Sequence, residues 1–135
     1  MKKQNRRNFI VTASALGTGL AVSALASPFQ ENKKQVLHHV FFWLKNTASK
    51  EDLNKLIEGL RTLNKIETVR KIHIGTPALT EPRPVIDNSY SVSALSVFDD
   101  VAGQKTYQDH PIHKKFVENC SMLWQKFLVY DSADV

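Results

Sequence analysis

The sequence offers almost no sulfur chemistry: one cysteine, Cys120, in 135 residues. A lone cysteine cannot form an internal disulfide. A bridged scaffold is therefore excluded, and the fold must rest on an apolar core. Acidic residues are absent before Glu31. Lys2, Lys3, Arg6 and Arg7 crowd into that acid-free stretch and supply most of the formal net charge of +5. Setting those four aside leaves 14 basic residues against 13 acidic ones. The rest of the chain thus lacks the basic stripe that a nucleic-acid binder carries. Repeats and low-complexity segments are also missing. The length allows one domain.

The basic start has a purpose of its own. A charged segment from Met1 to Arg7 precedes a soft apolar stretch, Phe9 to Ala26. That stretch ends in Ala24-Leu25-Ala26, a small-x-small cleavage pattern. Asn5-Arg6-Arg7-Asn8-Phe9-Ile10 resembles the twin-arginine export motif. Residues 1–26 are accordingly expected to be a twin-arginine-type signal peptide, and residues 27–35 a flexible lead-in to a domain at 36–135. The expected location is the periplasm or another exported site, with membrane contact only during export.

Val36 to Lys45 is dense in β-branched and aromatic residues and predicts a first strand. Its alternation puts Leu37, His39, Phe41 and Trp43 on one face and His38, Val40, Phe42 and Leu44 on the other. Both faces are apolar, so both should be covered, one by helices and one by a second sheet. Ser49-Lys50-Glu51-Asp52 is a variant capping box opening a helix with Leu53, Leu56, Ile57, Leu60 and Leu63 on one stripe. Val69 to Gly75 predicts a second strand with Ile72 and Ile74 inward. Pro77, Pro82 and Pro84 make Gly75 to Asn88 a loop. Tyr90 to Phe98 predicts a third strand, and Asp99 or Asp100 caps a short helix ending near Asp109. Pro111 starts another helix, with Phe116, Val117, Cys120, Leu123, Trp124 and Phe127 on its buried stripe. Leu128 to Tyr130 closes as a fourth strand. The order is β-α-β-β-α-β, an α+β split βαβ unit of the ferredoxin-like kind.

Tyr107-Gln108-Asp109-His110-Pro111-Ile112-His113 gathers a phenol and two imidazoles around a helix start. His113 falls in the first turn, where the helix dipole disfavours imidazolium and keeps the ring neutral. A neutral imidazole can take a proton, and the Tyr107 hydroxyl can donate to a developing oxyanion. The same residues also suit simpler roles: a histidine at a helix start caps backbone groups, and a buried tyrosine packs. His38 and His39 are adjacent on a strand and point to opposite faces, and no third ligand clusters with the histidines, so no metal site is assigned. Cys120 reads as a packing residue.

His39-Val40-Phe41-Phe42-Trp43, Val97-Phe98-Asp99-Asp100 and Tyr107 to Phe116 together resemble the stress-responsive α/β-barrel (Dabb, dimeric A/B barrel) family. The resemblance implies a ferredoxin-like protomer whose sheet packs on a partner's sheet, and hence a homodimer. It also implies His113 as base and Tyr107 as donor, after a plant member, olivetolic acid cyclase, that closes a polyketide ring. His39, Phe41, Trp43, His110, Trp124 and Phe127 would then line a pocket between sheet and helices. Val40, Phe42 and Leu44 would form the outer, dimerising face. No cofactor is implied. The expectation is a non-catalytic module that binds a small apolar or carbonyl-containing ligand or protects against stress. The alternative is a cofactor-free cyclase or lyase that removes a proton next to a carbonyl.

Overall fold

The computed structural model describes residues 33–135. The leader expected over 1–26, and all but the end of the 27–35 lead-in, lie outside the described residues. Strand β1 (Val36–Leu44) is central in a four-stranded antiparallel sheet. Strand β3 (Val92–Phe98) pairs along one side of it, from Val36↔Phe98 to Phe42↔Val92. Strand β4 (Trp124–Ala133) pairs along the other, from Val36↔Ala133 to Leu44↔Trp124. Strand β2 (Lys71–Gly75) flanks β3, which gives the order β2-β3-β1-β4. This is the ferredoxin-like α+β fold.

Three helices cover one face. Helix α1 (Lys50–Thr62) starts at Ser49, whose Oγ accepts from the Asp52 N–H at 3.0 Å. Helix α2 (Val101–Asp109) starts at Asp100, which accepts from the Gly103 N–H at 2.7 Å. Helix α3 (Pro111–Cys120) starts at His110, with Pro111 in the first turn. Each cap satisfies a backbone donor that the helix cannot. Leu56, Leu60 and Leu63 reach the core as their helical spacing requires, each contributing about 1.5–3 kcal/mol by leaving water. Helices α1 and α3 touch at Gly59, where a Cβ would stand 2.6 Å from the Cys120 Sγ and 3.1 Å from the Phe116 ring. Only glycine allows that approach.

Two expectations are corrected. The alternation along β1 is as read, but the faces are exchanged. Val36, His38, Val40, Phe42 and Leu44 are buried beneath the helices, while Leu37, His39, Phe41 and Trp43 lie on the outer face and are only half-buried. Each face carries one histidine and large apolar groups, so hydropathy cannot rank them. Packing ranks them: the inward set meets the helix leucines, Tyr107 and Phe116, beside the small Ala94 and Ser96 of β3. The second correction concerns Trp124 and Phe127, which are strand residues and not part of a helical stripe. Helix α3 ends at Cys120, a short 3₁₀ turn (Ser121–Leu123) follows, and β4 begins at Trp124. The nine-residue β1 has backbone groups to satisfy along its whole length, and the aromatic and β-branched run Trp124–Tyr130 supplies them.

Among the described residues, no helix is long and apolar enough to cross a membrane.

Candidate functional site

Between the inner face of the sheet and helices α2 and α3 lies a cavity of about 300 Å³. Val40, Phe42, Phe116, Trp124 and Val129 give it apolar walls. Phe127, 56% exposed, stands at its mouth. The polar groups are few: His38 from β1, Ser96 from β3, Tyr107 and Gln108 from α2 and His113 from α3. A largely apolar cavity with a few convergent polar atoms is the usual form of a small-molecule site.

Tyr107 is the hub of this group. Its ring centre lies 4.8 Å from that of His113, 5.7 Å from His38 and 5.0 Å from Phe98. Burial pushes its phenol up to about 12, against a smaller opposing effect from a hydrogen bond with Ser96. The hydroxyl is therefore a neutral donor at any physiological pH. Burial also lowers the His113 pKa, and the nearby His38 lowers it further. His113 is thus held as neutral imidazole, chiefly by desolvation.

His38 has a carboxylate behind it. Its Nδ1–H donates to the Asp131 Oδ1 at 2.6 Å. In the neutral ring that bond places the proton on Nδ1 and leaves the Nε2 lone pair as acceptor or base. An imidazole oriented by a carboxylate, the neutral imidazole of His113 and a neutral phenol on one apolar cavity can move a proton between ligand atoms.

A larger hollow of about 530 Å³ lies between α1 and β2. Its one charged lining residue, Arg61, is paired with Glu58, and it holds no acid–base group. The site chemistry belongs to the smaller cavity.

Residues 36–134 match the family model described as Stress responsive A/B Barrel Domain. The chain belongs to this Dabb family. A Dabb family protein with a ferredoxin-like fold from Mesorhizobium loti is 25% identical, with a TM-score of 0.63 over 76% of this chain and 99% of that one. A dimeric ferredoxin-like protein of unknown function from Thermobifida fusca is 17% identical, with a TM-score of 0.61 over 76% and 92%. A hydroxynitrile lyase from Passiflora edulis is 19% identical, with a TM-score of 0.61 over 76% and 94%. The last two share the fold alone. A search of curated proteins found no match.

In this Dabb chain the cavity gathers Tyr107, His113, Trp124 and Phe127 of the residues expected from sequence. It does not include His39, Phe41 or Trp43, which lie on the opposite face of the sheet because of the exchange described above. Nor does it include His110. That ring is turned away to cap α3, its Nδ1 accepting from the Ile112 N–H at 3.1 Å and its Nε2 lying 3.3 Å from Glu67. His38, Ser96 and Asp131 are the residues that sequence reasoning missed. A signal for Asp131 does exist. Phe127, Val129 and Asp131 share one parity along an aromatic and β-branched run, which puts a carboxylate on the inner face if the strand continues that far. Among the described residues, no group of three or more His, Cys, Asp or Glu could hold a metal ion.

Proposed function

We propose that this Dabb protein is an exported homodimer whose cavity binds a small, mainly apolar molecule bearing a carbonyl or hydroxyl oxygen. The observation that carries the ligand class is the convergence of Tyr107, His38 and His113 in an otherwise apolar cavity of about 300 Å³. The neutral phenol donates to the ligand oxygen, and the imidazole lone pairs accept from its hydroxyl. Export is supported by Arg6-Arg7 and the Ala24-Leu25-Ala26 pattern. A homodimer is supported by the apolar outer face of Leu37, Phe41, Trp43 and Leu128, and by the Thermobifida fusca neighbour, which is described as dimeric. A patch of that kind marks an interface.

The His38–Asp131 pair favours a second role for the same site. An imidazole held by a carboxylate can take a proton from the carbon next to a carbonyl, the electron pair moving onto the oxygen to which Tyr107 donates. It can also take the hydroxyl proton of a cyanohydrin, whose O–H electron pair becomes the C=O bond as the C–C bond breaks and cyanide leaves with its electrons. A hydroxynitrile lyase shares the fold. Benzaldehyde and mandelonitrile distinguish the two roles. Titration of benzaldehyde should shift the NMR signals of His38, Tyr107 and His113, and Tyr107→Phe should weaken that binding about tenfold. Release of benzaldehyde from mandelonitrile, lost in His38→Ala, would establish catalysis. No shift with either probe, or shifts confined to residues outside the cavity, would overturn the ligand class.

A further inference from the structure

Residues 76–91 join β2 to β3 and form the longest described stretch without helix or strand. Loops of this length in a small domain are usually functional. This one is stiffened. Pro77, Pro82 and Pro84 hold their φ angles, the Ile86 N–H donates to the Arg83 carbonyl at 3.0 Å, and the Asp87 carboxylate accepts from both the Ser89 N–H and Oγ. Yet the loop buries little of its own apolar surface. Leu79 is 103% exposed and Val85 84%. A chain ordered at this entropic cost, with Leu79 and Val85 in water, gains nothing from these two side chains within its own fold.

The base of the loop is tied to the outer face of the sheet. Trp43 Nε1 donates to the Ser89 Oγ at 3.0 Å, Tyr90 stands edge-on to Phe41 at 5.0 Å, and the Leu44 N–H donates to the Ser91 Oγ at 3.1 Å. Charge follows the same arrangement. The register of the four strands places Lys71 and Lys126 on the outer face, and the loop brings a carboxylate to it: Asp87 borders that face beside Phe41 and Trp43, close enough to feel the charge of Lys126.

We infer that loop 76–91 is an arm that packs Leu79 and Val85 against a second copy of this chain. The inference rests on the dimer reading above. The stiffness has a role in it: an arm ordered beforehand loses less entropy on binding.

Sedimentation equilibrium on the full chain and on the Leu79→Ser/Val85→Ser variant tests it. The arm requires the dimer dissociation constant to rise about tenfold or more in the variant. The unfolding midpoint of the monomeric Phe41→Asp protein should be unchanged by the same two substitutions, because in a monomer both side chains already lie in water. Amide hydrogen exchange over Leu79 to Asp87 should be slower in the parent dimer than in the Phe41→Asp monomer. A parent dimer with an unchanged dissociation constant in the variant, or with equal exchange rates, would assign the arm to some other partner and overturn the inference while the dimer stands. A parent that sediments as a monomer would overturn the dimer and the arm together.

Discussion

His38 and Asp131, 93 residues apart, face each other across β1 and β4, and the buried imidazole donates to the half-exposed carboxylate at 2.6 Å. The pair joins the central strand to the last one and turns an inward histidine into an oriented base. Asp131→Asn should cost about 1 kcal/mol, a modest figure because the carboxylate is partly in water. Its sharper effect is on the tautomer. Nitrogen-15 shifts should show the His38 proton on Nδ1 in the parent and divided between the two nitrogens in the variant. An unchanged tautomer would mean that the carboxylate does not orient the ring.

Adjacent residues on β1 should respond in opposite ways. Phe42 is 4% exposed beneath the helices, and Phe41 lies on the outer face. Phe42→Ala should lower unfolding stability by about 3–5 kcal/mol, and Phe42→Asp should leave no stable fold. Phe41→Asp should give a folded monomer. Circular dichroism and light scattering on the three variants separate the faces. A folded Phe42→Asp beside an unfolded Phe41→Asp would reverse the assignment.

At Gly59 two helices touch. Gly59→Ala gains roughly 1 kcal/mol of helix propensity but forces a Cβ against Cys120 Sγ, an overpacking that costs about 1–3 kcal/mol. Urea unfolding should show a net loss. Adding Cys120→Ala removes the sulfur and should return most of what Gly59→Ala lost relative to the Cys120→Ala protein. Equal effects of Gly59→Ala in both backgrounds would show that sulfur is not the obstacle.

Stability should fall on acidification. Burial lowers the pKa of both His113 and His39, with neighbouring histidines adding to the effect. The unfolded chain takes up protons near the ordinary value of about 6.5, before the folded chain does. The contribution of the neutral rings is therefore fully present above that value and is lost as pH falls through the folded values. His113→Gln should flatten the slope of stability between pH 7 and about pH 5. At the alkaline end the sign is opposite. Tyr107 is pushed up to about 12, so its contribution holds below the ordinary tyrosine value of about 10 and is lost as pH rises beyond it. Ultraviolet titration should find one tyrosine ionising late.

The proposed export predicts that replacing Arg6 and Arg7 with lysine stops delivery to the periplasm, since the twin-arginine route reads the guanidinium pair. Fractionation of cells expressing the parent and the double variant checks it. Unchanged delivery would assign the leader to the general secretory route.

Much of the molecule was legible in the chain alone. The number and order of strands, the stripe of α1, the caps at Ser49 and Asp100 and the helix start at Pro111 all follow from local rules, because spacing and cap chemistry act within a few residues. Tyr107 and His113 could be paired from sequence because both sit beside the same break between α2 and α3. The inner face of β1 could not be identified in this way. Two apolar faces with one histidine each are degenerate to any hydropathy pattern, and only the volumes packed against them distinguish the two. The end of α3 was also a tertiary decision, since unpaired backbone along β1 drew Trp124–Ala133 into the sheet against a continuing helical stripe. Asp131 entered the site only through that choice. A contact between residues 93 apart depends on strand register, and register is set when the whole sheet closes on its core.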